Sequence, residues 1–349
     1  MTEYVQQPMI TYIGNKRKLI QHIEEVVERL KPLSAADAFS GSGVVSRMLL
    51  TRSDTLYVND LERYCEVLSE CFLKTPSPEE QLEVRKHIDA MNNLPERTGF
   101  ISELYAPKDS NEIQEDERCF YTKENARKID AMIEYIHTRV PEKLRSYCMG
   151  PLLVKSSIHT NTSGVFKGFH KGGWGGKKGH ALDRIKGEIK VECPVWHEIP
   201  KDVLVYRKDV LDFLEELPKV DLIYLDPPYN QHPYGSNYFM LNLIATNEKP
   251  EEISKVSGIP TNWNKSAYNS KSKIMETMRR TLELSTKKSK YTLVSYNNEG
   301  FIRLHDWEDL LRSYKYERID IDYNCYRGSR NLQNRPTKVT EFLFLISSL

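Results

Sequence analysis

An apolar run, Val220-Asp221-Leu222-Ile223-Tyr224-Leu225, stops abruptly at Asp226-Pro227-Pro228-Tyr229, and this junction constrains the fold more than any other stretch of the chain. The run reads as a buried strand that ends at a carboxylate. The two prolines supply no backbone N–H and fix φ, so the chain beyond Asp226 is stiff and extended, with carbonyls left to accept hydrogen bonds. A carboxylate, the Pro227 carbonyl and the π-face of Tyr229 together suit a flat ring that carries an exocyclic amine, as adenine does. The same four residues also read as a strand followed by a turn, since Asp and Pro are ordinary turn formers. A cofactor site elsewhere in the chain would decide between the two.

Such a site is indicated near the N-terminus. Between Leu19 and Leu30 the residues Ile20, Ile23, Val26, Val27 and Leu30 recur at helical spacing, and Pro32 ends the helix. Ala35 to Phe39 reads as a strand running into Ser40-Gly41-Ser42-Gly43, and helical spacing resumes from Val44 to Leu50. A second strand, Thr55 to Val58, ends at Asn59-Asp60, and Tyr64 to Leu73 is again helical in pattern. Strand, glycine turn, helix and strand form the opening of a doubly wound sheet. The α/β pattern returns with a strand at Val203 to Tyr206, Asp209, and a helix from Val210 to Leu217. Tyr291 to Tyr296 and Thr340 to Ile346 are further strands, the last expected as an antiparallel edge or hairpin partner.

Two glycines at a strand-to-helix turn let the backbone approach a ligand at the switch point of such a sheet. The run lacks the ending of a P-loop and the third glycine of the dinucleotide fingerprint, so a phosphate is not the best candidate. Asp60, about 20 residues on, stands where α/β nucleoside binders hold ribose hydroxyls. Asp37, Asp60 and Asp209 fall at three successive strand ends, an arrangement that suits a cationic, hydroxyl-rich ligand with an adenine ring. S-adenosyl-L-methionine has all of these parts. Each Asp taken singly suits a helix N-cap or turn equally well.

The whole chain has 349 residues, 50 basic and 49 acidic, for a formal charge of +1. That balance argues against a protein that coats nucleic acid nonspecifically, while leaving room for a local basic surface. The six cysteines form no C-x-x-C pair and no zinc-finger spacing, so no metal site is expected. No stretch has the length of a membrane span and the N-terminus lacks a signal-peptide core, so a cytoplasmic location is expected.

Thr11-Tyr12-Ile13-Gly14-Asn15-Lys16-Arg17-Lys18-Leu19, then Asp37-Ala38-Phe39-Ser40-Gly41-Ser42-Gly43, then Asp226-Pro227-Pro228-Tyr229 resembles, in motifs and in their order, the alpha-group adenine-N6 DNA methyltransferases of the Dam type. The stretches Tyr234-Gly235-Ser236-Asn237-Tyr238, Ser295 to Gly300 and Tyr326 to Asn331 are similar to the FokI-type modification methyltransferases. The resemblance covers both ends of the chain and little of residues 77 to 150. It implies a Rossmann-like methyltransferase domain formed by residues 1–74 and 195–349, with a mainly helical target-recognition region inserted at 75–194. Carried over position by position, it implies that Tyr12 and Lys16 touch the methionine end of S-adenosylmethionine, Lys16 pairing with its carboxylate. Asp60 would take the ribose, Phe39, Gly41 and Gly43 would wall the pocket, and Asp209 would accept from the cofactor's adenine amine. Asp226 would sit between cofactor and target base. Tyr12 departs from the tryptophan that Dam-type enzymes often carry.

The reaction this implies is direct transfer of the methyl group to N6 of an adenine flipped out of duplex DNA. Asp226 and Pro227 would aim the amine, and Tyr229 would stack on the base. Tyr234, Asn237 and Tyr238 would line the entrance or meet the orphaned partner base, or else pack as a loop against the core. Lys167, Lys171, Trp174, Lys177 and Lys178, in a glycine-rich stretch without core periodicity, carry a DNA-contacting footprint, with Arg327, Arg330 and Arg335 as a second basic edge; a solvated loop is the alternative. Expected partners are double-stranded DNA and, separately acting, a cognate restriction endonuclease, with the chain a monomer or weak dimer. The same clamp could serve cytosine N4, an RNA adenine or a glutamine amide, and a catalytically silent DNA-binding relative is the reading from another class.

Overall fold

Seven strands form one mixed sheet among the residues that the computed structural model describes, 3–7, 9–176, 179–324 and 338–348. They are β1 (Ser34–Asp37), β2 (Thr55–Asn59), β3 (Asp202–Tyr206), β4 (Val220–Leu225), β5 (Ser289–Asn297), β6 (Lys315–Asn324) and β7 (Lys338–Ser347), in the order β3-β2-β1-β4-β5-β7-β6. The first five are parallel, and β7 runs antiparallel between β5 and β6. The chain winds outward from β1 to β3 and returns to β4 on the other side of β1, so the carboxyl ends of β1 and β4 flank a topological switch point. This is the doubly wound mixed sheet expected from the motif order.

The strands form where the apolar runs predict them. The central strands are buried on both faces, Ala35, Ala36, Leu56, Val58, Leu222 and Leu225 being inaccessible to solvent. The helices Val210–Glu216, Ile274–Lys288 and Leu304–Leu311 add Phe213, Met278, Leu282, Trp307 and Leu311 to a core shared with β4, β5 and β7. Strand β6 escapes the sequence reading; it is rich in charge, with Lys315, Glu317, Arg318, Asp320 and Asp322, and it is largely exposed, Ile321 being its one buried residue. A charged outer strand leaves its unpaired backbone edge a poor template for another chain. The hairpin partnership expected of β7 is present, but β6 takes the edge and leaves β7 inside the sheet.

The chain divides into two compact units. The sheet lies in the one made of Gly14–Ser69, Pro200–Pro233 and Asn264–Leu349. The other consists of Met1–Ile13, Glu70–Ile199 and Tyr234–Trp263. Its middle segment is helical, with Pro78–Asn92, Lys123–Arg139 and Arg145–Ile158 as the long helices. Side-chain caps from Ser77 and Thr122 start the first two. Relative to the 75–194 boundary read from the sequence, this unit also takes in the N-terminal segment and residues 234–263. The Thr11 amide donates to Ser157 Oγ at 3.2 Å, the Phe166 amide to the Asn237 carbonyl at 2.7 Å, and the Tyr105 hydroxyl to the Gly258 carbonyl at 2.8 Å. Phe239 completes an aromatic cluster with Tyr105 and Phe120. These pairings are long-range, and no local pattern announces them.

Candidate active site

Strand β4 delivers Asp226 to the switch point, and the two consecutive prolines after it fix φ and stiffen the chain there. The Asp226 side chain is 19% exposed. Lys16 Nζ lies 2.8 Å from Asp226 Oδ1 and 3.1 Å from Glu341 Oε1, and it also donates to the Gly14 carbonyl at 3.5 Å. Burial raises the Asp226 pKa to about 6; the Lys16 ammonium opposes that rise and the Glu341 carboxylate adds to it. Burial works against the charge on Lys16, but the two carboxylates outweigh it and hold the lysine well above its ordinary pKa.

Lys16, expected on a cofactor carboxylate, here pairs with Asp226 and Glu341, with the Gly14 carbonyl at 3.5 Å. Glu341 was missed. It is fully buried on β7, where Ser295 Oγ donates to Oε1 at 2.5 Å and the Tyr323 hydroxyl to Oε2 at 3.4 Å. A lone carboxylate inside Thr340-Glu341-Phe342-Leu343-Phe344-Leu345-Ile346 is a legible signal, because a buried charge needs a partner.

The glycine turn sits at the end of β1. Gly41 and Gly43 have φ of 52° and 78°, which a side chain rarely tolerates, and Gly43 opens the helix Val44–Arg52. Asp60, half-buried at the end of β2, accepts from the Gly41 amide at 2.9 Å and, through its other oxygen, from the Glu62 amide at 3.0 Å. Burial raises its pKa and the amides restrain the rise. The Cys65 thiol and the Leu61 amide also hydrogen-bond this carboxyl. Asp37, by contrast, is 1% exposed, and its carboxyl accepts from Ser46 Oγ at 2.6 Å and from the Phe39 amide at 3.4 Å. It pins the turn from within. Burial lifts it to about 7, with the charges of Asp226 and Asp60 adding to the rise.

Asp209 is exposed and caps the helix Val210–Glu216 through the Leu211 amide, at 3.0 Å. Phe39 packs edge-on against Tyr268, with centroids 5.2 Å apart. Tyr229 is partly buried, edge-on to Tyr296 at 6.2 Å, and its carbonyl accepts from the Phe301 amide at 2.9 Å.

Of the other predicted residues, Tyr12 belongs to the helical unit and stacks on Tyr234 at 5.0 Å and on Tyr238 at 4.8 Å. The Tyr238 ring is fully buried, with its hydroxyl accepting from the Ile13 amide at 2.7 Å, and Asn237 is also buried. Both are packing residues in this structure; Tyr234 is the partly exposed member of the set. Trp174 is likewise a correction. It packs with Cys119 and Ile185, and its indole N–H donates to the Ser110 carbonyl at 2.8 Å.

The stretch around Trp174 is built as well. Asn161 Oδ1 accepts from the Gly175 amide, and a Cβ on Gly175, at φ 70°, would lie 2.1 Å from the His180 carbonyl oxygen. Lys167 and Lys171 are exposed on this segment. Lys177, Lys178, Arg327, Arg330 and Arg335 lie outside the described residues. No helix among the described residues is long and apolar enough to cross a membrane.

Three relatives align over nearly the whole chain. The Type II methyltransferase M.NlaIII of Neisseria lactamica is 27% identical, covering 97% of this chain and 99% of that protein. M.CviAII of Paramecium bursaria Chlorella virus 1 is 28% identical, covering 97% and 98%. M.FokI of Planomicrobium okeanokoites is 24% identical over 96% of this chain, which spans 52% of that longer protein. The family model of the D12 class N6 adenine-specific DNA methyltransferases matches residues 12–310, a span that includes the glycine turn, Asp60 and Asp226-Pro227-Pro228-Tyr229. With that match over most of its length, the chain belongs to the D12 class N6 adenine-specific DNA methyltransferases.

Proposed function

We propose that Asp226, Pro227 and Tyr229 receive the target adenine and that S-adenosylmethionine is the methyl donor, held at the carboxyl ends of β1, β2 and β3. The observation that carries this reading is the position of Asp226: at the end of β4, beside the switch point, partly exposed and followed by a stiff proline pair. The residues at the neighbouring strand ends fit the donor. Gly41 and Gly43 leave room along the turn, Asp60 stands partly exposed at the end of β2 where ribose hydroxyls are expected, and Asp209 stands exposed where an adenine amine can donate. When bound, that donor supplies an electrophilic methyl group.

An aromatic amine is a poor nucleophile because its lone pair is delocalised into the ring. Asp226 and the Pro227 carbonyl accept its two hydrogens, favour sp³ character at nitrogen and aim the lone pair for in-line displacement. As a carboxylate, Asp226 also offsets the positive charge that develops on nitrogen. Tyr229 offers a ring face to the base. The adenine must leave the duplex to reach these groups, at a cost of about a few kcal/mol in unstacking.

The helical unit carries target recognition in this reading, with Lys167 and Lys171 on DNA phosphates and Tyr234 near the displaced base. The biological setting is restriction-modification in the cytoplasm, with a separately acting endonuclease of the same specificity and a methyltransferase that works as a monomer or weak dimer. The test is transfer of labelled methyl from S-adenosylmethionine to duplex DNA, with digestion to nucleosides to identify the product. The expected result is N6-methyladenine, with Asp226→Ala abolishing transfer while still binding S-adenosylhomocysteine. Full activity in that variant would refute the assignment of Asp226.

A further inference from the structure

Lys16 carries one positive charge and meets two carboxylates, of which only Asp226 reaches solvent. Glu341 is inaccessible and held from two further strands, by Ser295 on β5 and Tyr323 on β6. Because β7 is interior, its register fixes Glu341 opposite Asn297 on β5 and Ile321 on β6. A fully buried carboxylate on a central strand is costly unless it is paired, and Lys16 is the cation that pairs it. One ammonium shared between two carboxylates is drawn away from each by the other.

We propose that Glu341 is a positioning residue for methyl transfer: it shares the Lys16 ammonium that pairs with Asp226, so that Lys16 only partly offsets the Asp226 charge and the carboxylate remains a strong acceptor for the hydrogens of the target amine. Lys16 alone on Asp226 would neutralise it and compete with the amine for the same oxygens. With Glu341 sharing the ammonium, Asp226 stays ionised near neutral pH yet retains negative charge toward the target amine. This inference rests on the assignment of Asp226 as the amine acceptor.

The groups that bear on Asp226 are Lys16 from the segment ahead of the helix Ile20–Leu30, Asp37 at the end of β1, Tyr224 on β4, Tyr229 beyond it, and Glu341 on β7. Changing Glu341 and changing Lys16 therefore move Asp226 in opposite directions. Glu341→Gln removes a like charge and turns Lys16 wholly onto Asp226, so the acid limb of the pH–rate profile moves to lower pH. Lys16→Met removes the attractive charge and leaves Glu341 unopposed, so the limb moves to higher pH.

The experiment is single-turnover methylation of duplex DNA from about pH 5 to 9 for wild type, Glu341→Gln, Glu341→Asp and Lys16→Met. S-adenosylhomocysteine affinity and thermal melting are measured alongside. Glu341→Gln is expected to lower the plateau rate about tenfold, move the acid limb downward and leave the binding constant unchanged, with Glu341→Asp recovering part of the rate. A slower rate with an unmoved limb, or limbs that move together in the Gln and Met variants, would overturn the proposal. Should Glu341→Gln fail to fold, Glu341→Asp decides, since its shorter side chain withdraws the carboxylate from Lys16 and leaves the ammonium to Asp226; the limb must again move down. Asp226→Ala separates the two readings: if it retains transfer, the acceptor assignment fails, whereas its inactivity beside a wild-type profile for Glu341→Gln defeats only the role given to Glu341.

Discussion

Replacing Asp37 by Asn should stabilise the protein at alkaline pH and do progressively less as pH falls. Asp37 is 1% exposed, and burial together with the charges of Asp226 and Asp60 lifts its pKa to about 7, against the hydrogen bonds from Ser46 and Phe39. A carboxyl whose pKa is higher in the folded state binds more protons folded than unfolded. Its contribution to stability is fully present below the unfolded value, near 4, and is lost as pH rises through about 7. With those two values, linkage gives a cost of about 1.7 kcal/mol at pH 5 and about 4.3 kcal/mol at pH 8, figures that are upper limits for a buried group. Asn is isosteric, keeps an acceptor for the Ser46 hydroxyl and does not ionise, so its advantage should grow by about 2.6 kcal/mol between those pH values. For a chain of 349 residues, at about 2.1 cal/mol/K per residue, that is about 3–4 °C in Tm. The assay is a set of calorimetric melts of both proteins, without cofactor, across that pH range. An offset between variant and wild type that is the same at pH 5 and pH 8 would show that Asn acts through packing, and the charge argument would fall.

Trp174→Ala should destabilise the helical unit by about 3–5 kcal/mol, because it empties the site between Cys119 and Ile185 and strands the Ser110 carbonyl. Proteolysis or urea unfolding checks this; weaker DNA binding with unchanged stability would restore Trp174 to the DNA surface. Lys167→Gln with Lys171→Gln should reduce the slope of log affinity against log salt by about 2 if both meet phosphates, at about 0.9 per contact. Fluorescence anisotropy over a salt series measures the slope, and a wild-type value would remove these lysines from the interface.

The sheet was legible because its strands announce themselves locally. Val220–Leu225 is apolar throughout and ends at a proline pair, and the turn after β1 carries the two glycines that its positive φ angles demand. Strand β6 was less legible, since its charged positions obey the needs of an exposed edge and its alternation is confined to a short stripe of Ile319, Ile321 and Tyr323. The same contrast explains Trp174. Lysine and glycine around it resemble a solvated loop, yet Asn161, distant in sequence until the turn closes, holds Gly175 and the carbonyls of Cys119 and His170.

For the site, the legible part is whatever a single strand end delivers: Asp226, Asp60 and Asp209 each sit where a strand terminates, and position along the chain fixes position along the sheet edge. Asp37 shows the limit of that rule. Its strand end is correct, but its direction depends on Ser46, nine residues on, which turns the carboxyl inward. Lys16 shows a second limit, because the charge that balances it comes from β7, more than 300 residues away, through a register that only the completed sheet defines. Sequence position can therefore nominate carboxylates at a switch point, whereas their division of labour follows from which neighbours reach them. Asp37 is buried and held by a hydroxyl and an amide; Asp60 is half-buried and held by amides; Asp226 is partly exposed and held by a shared cation. In the proposed reading, the carboxylate held by a shared cation and left partly exposed is the one that meets the substrate.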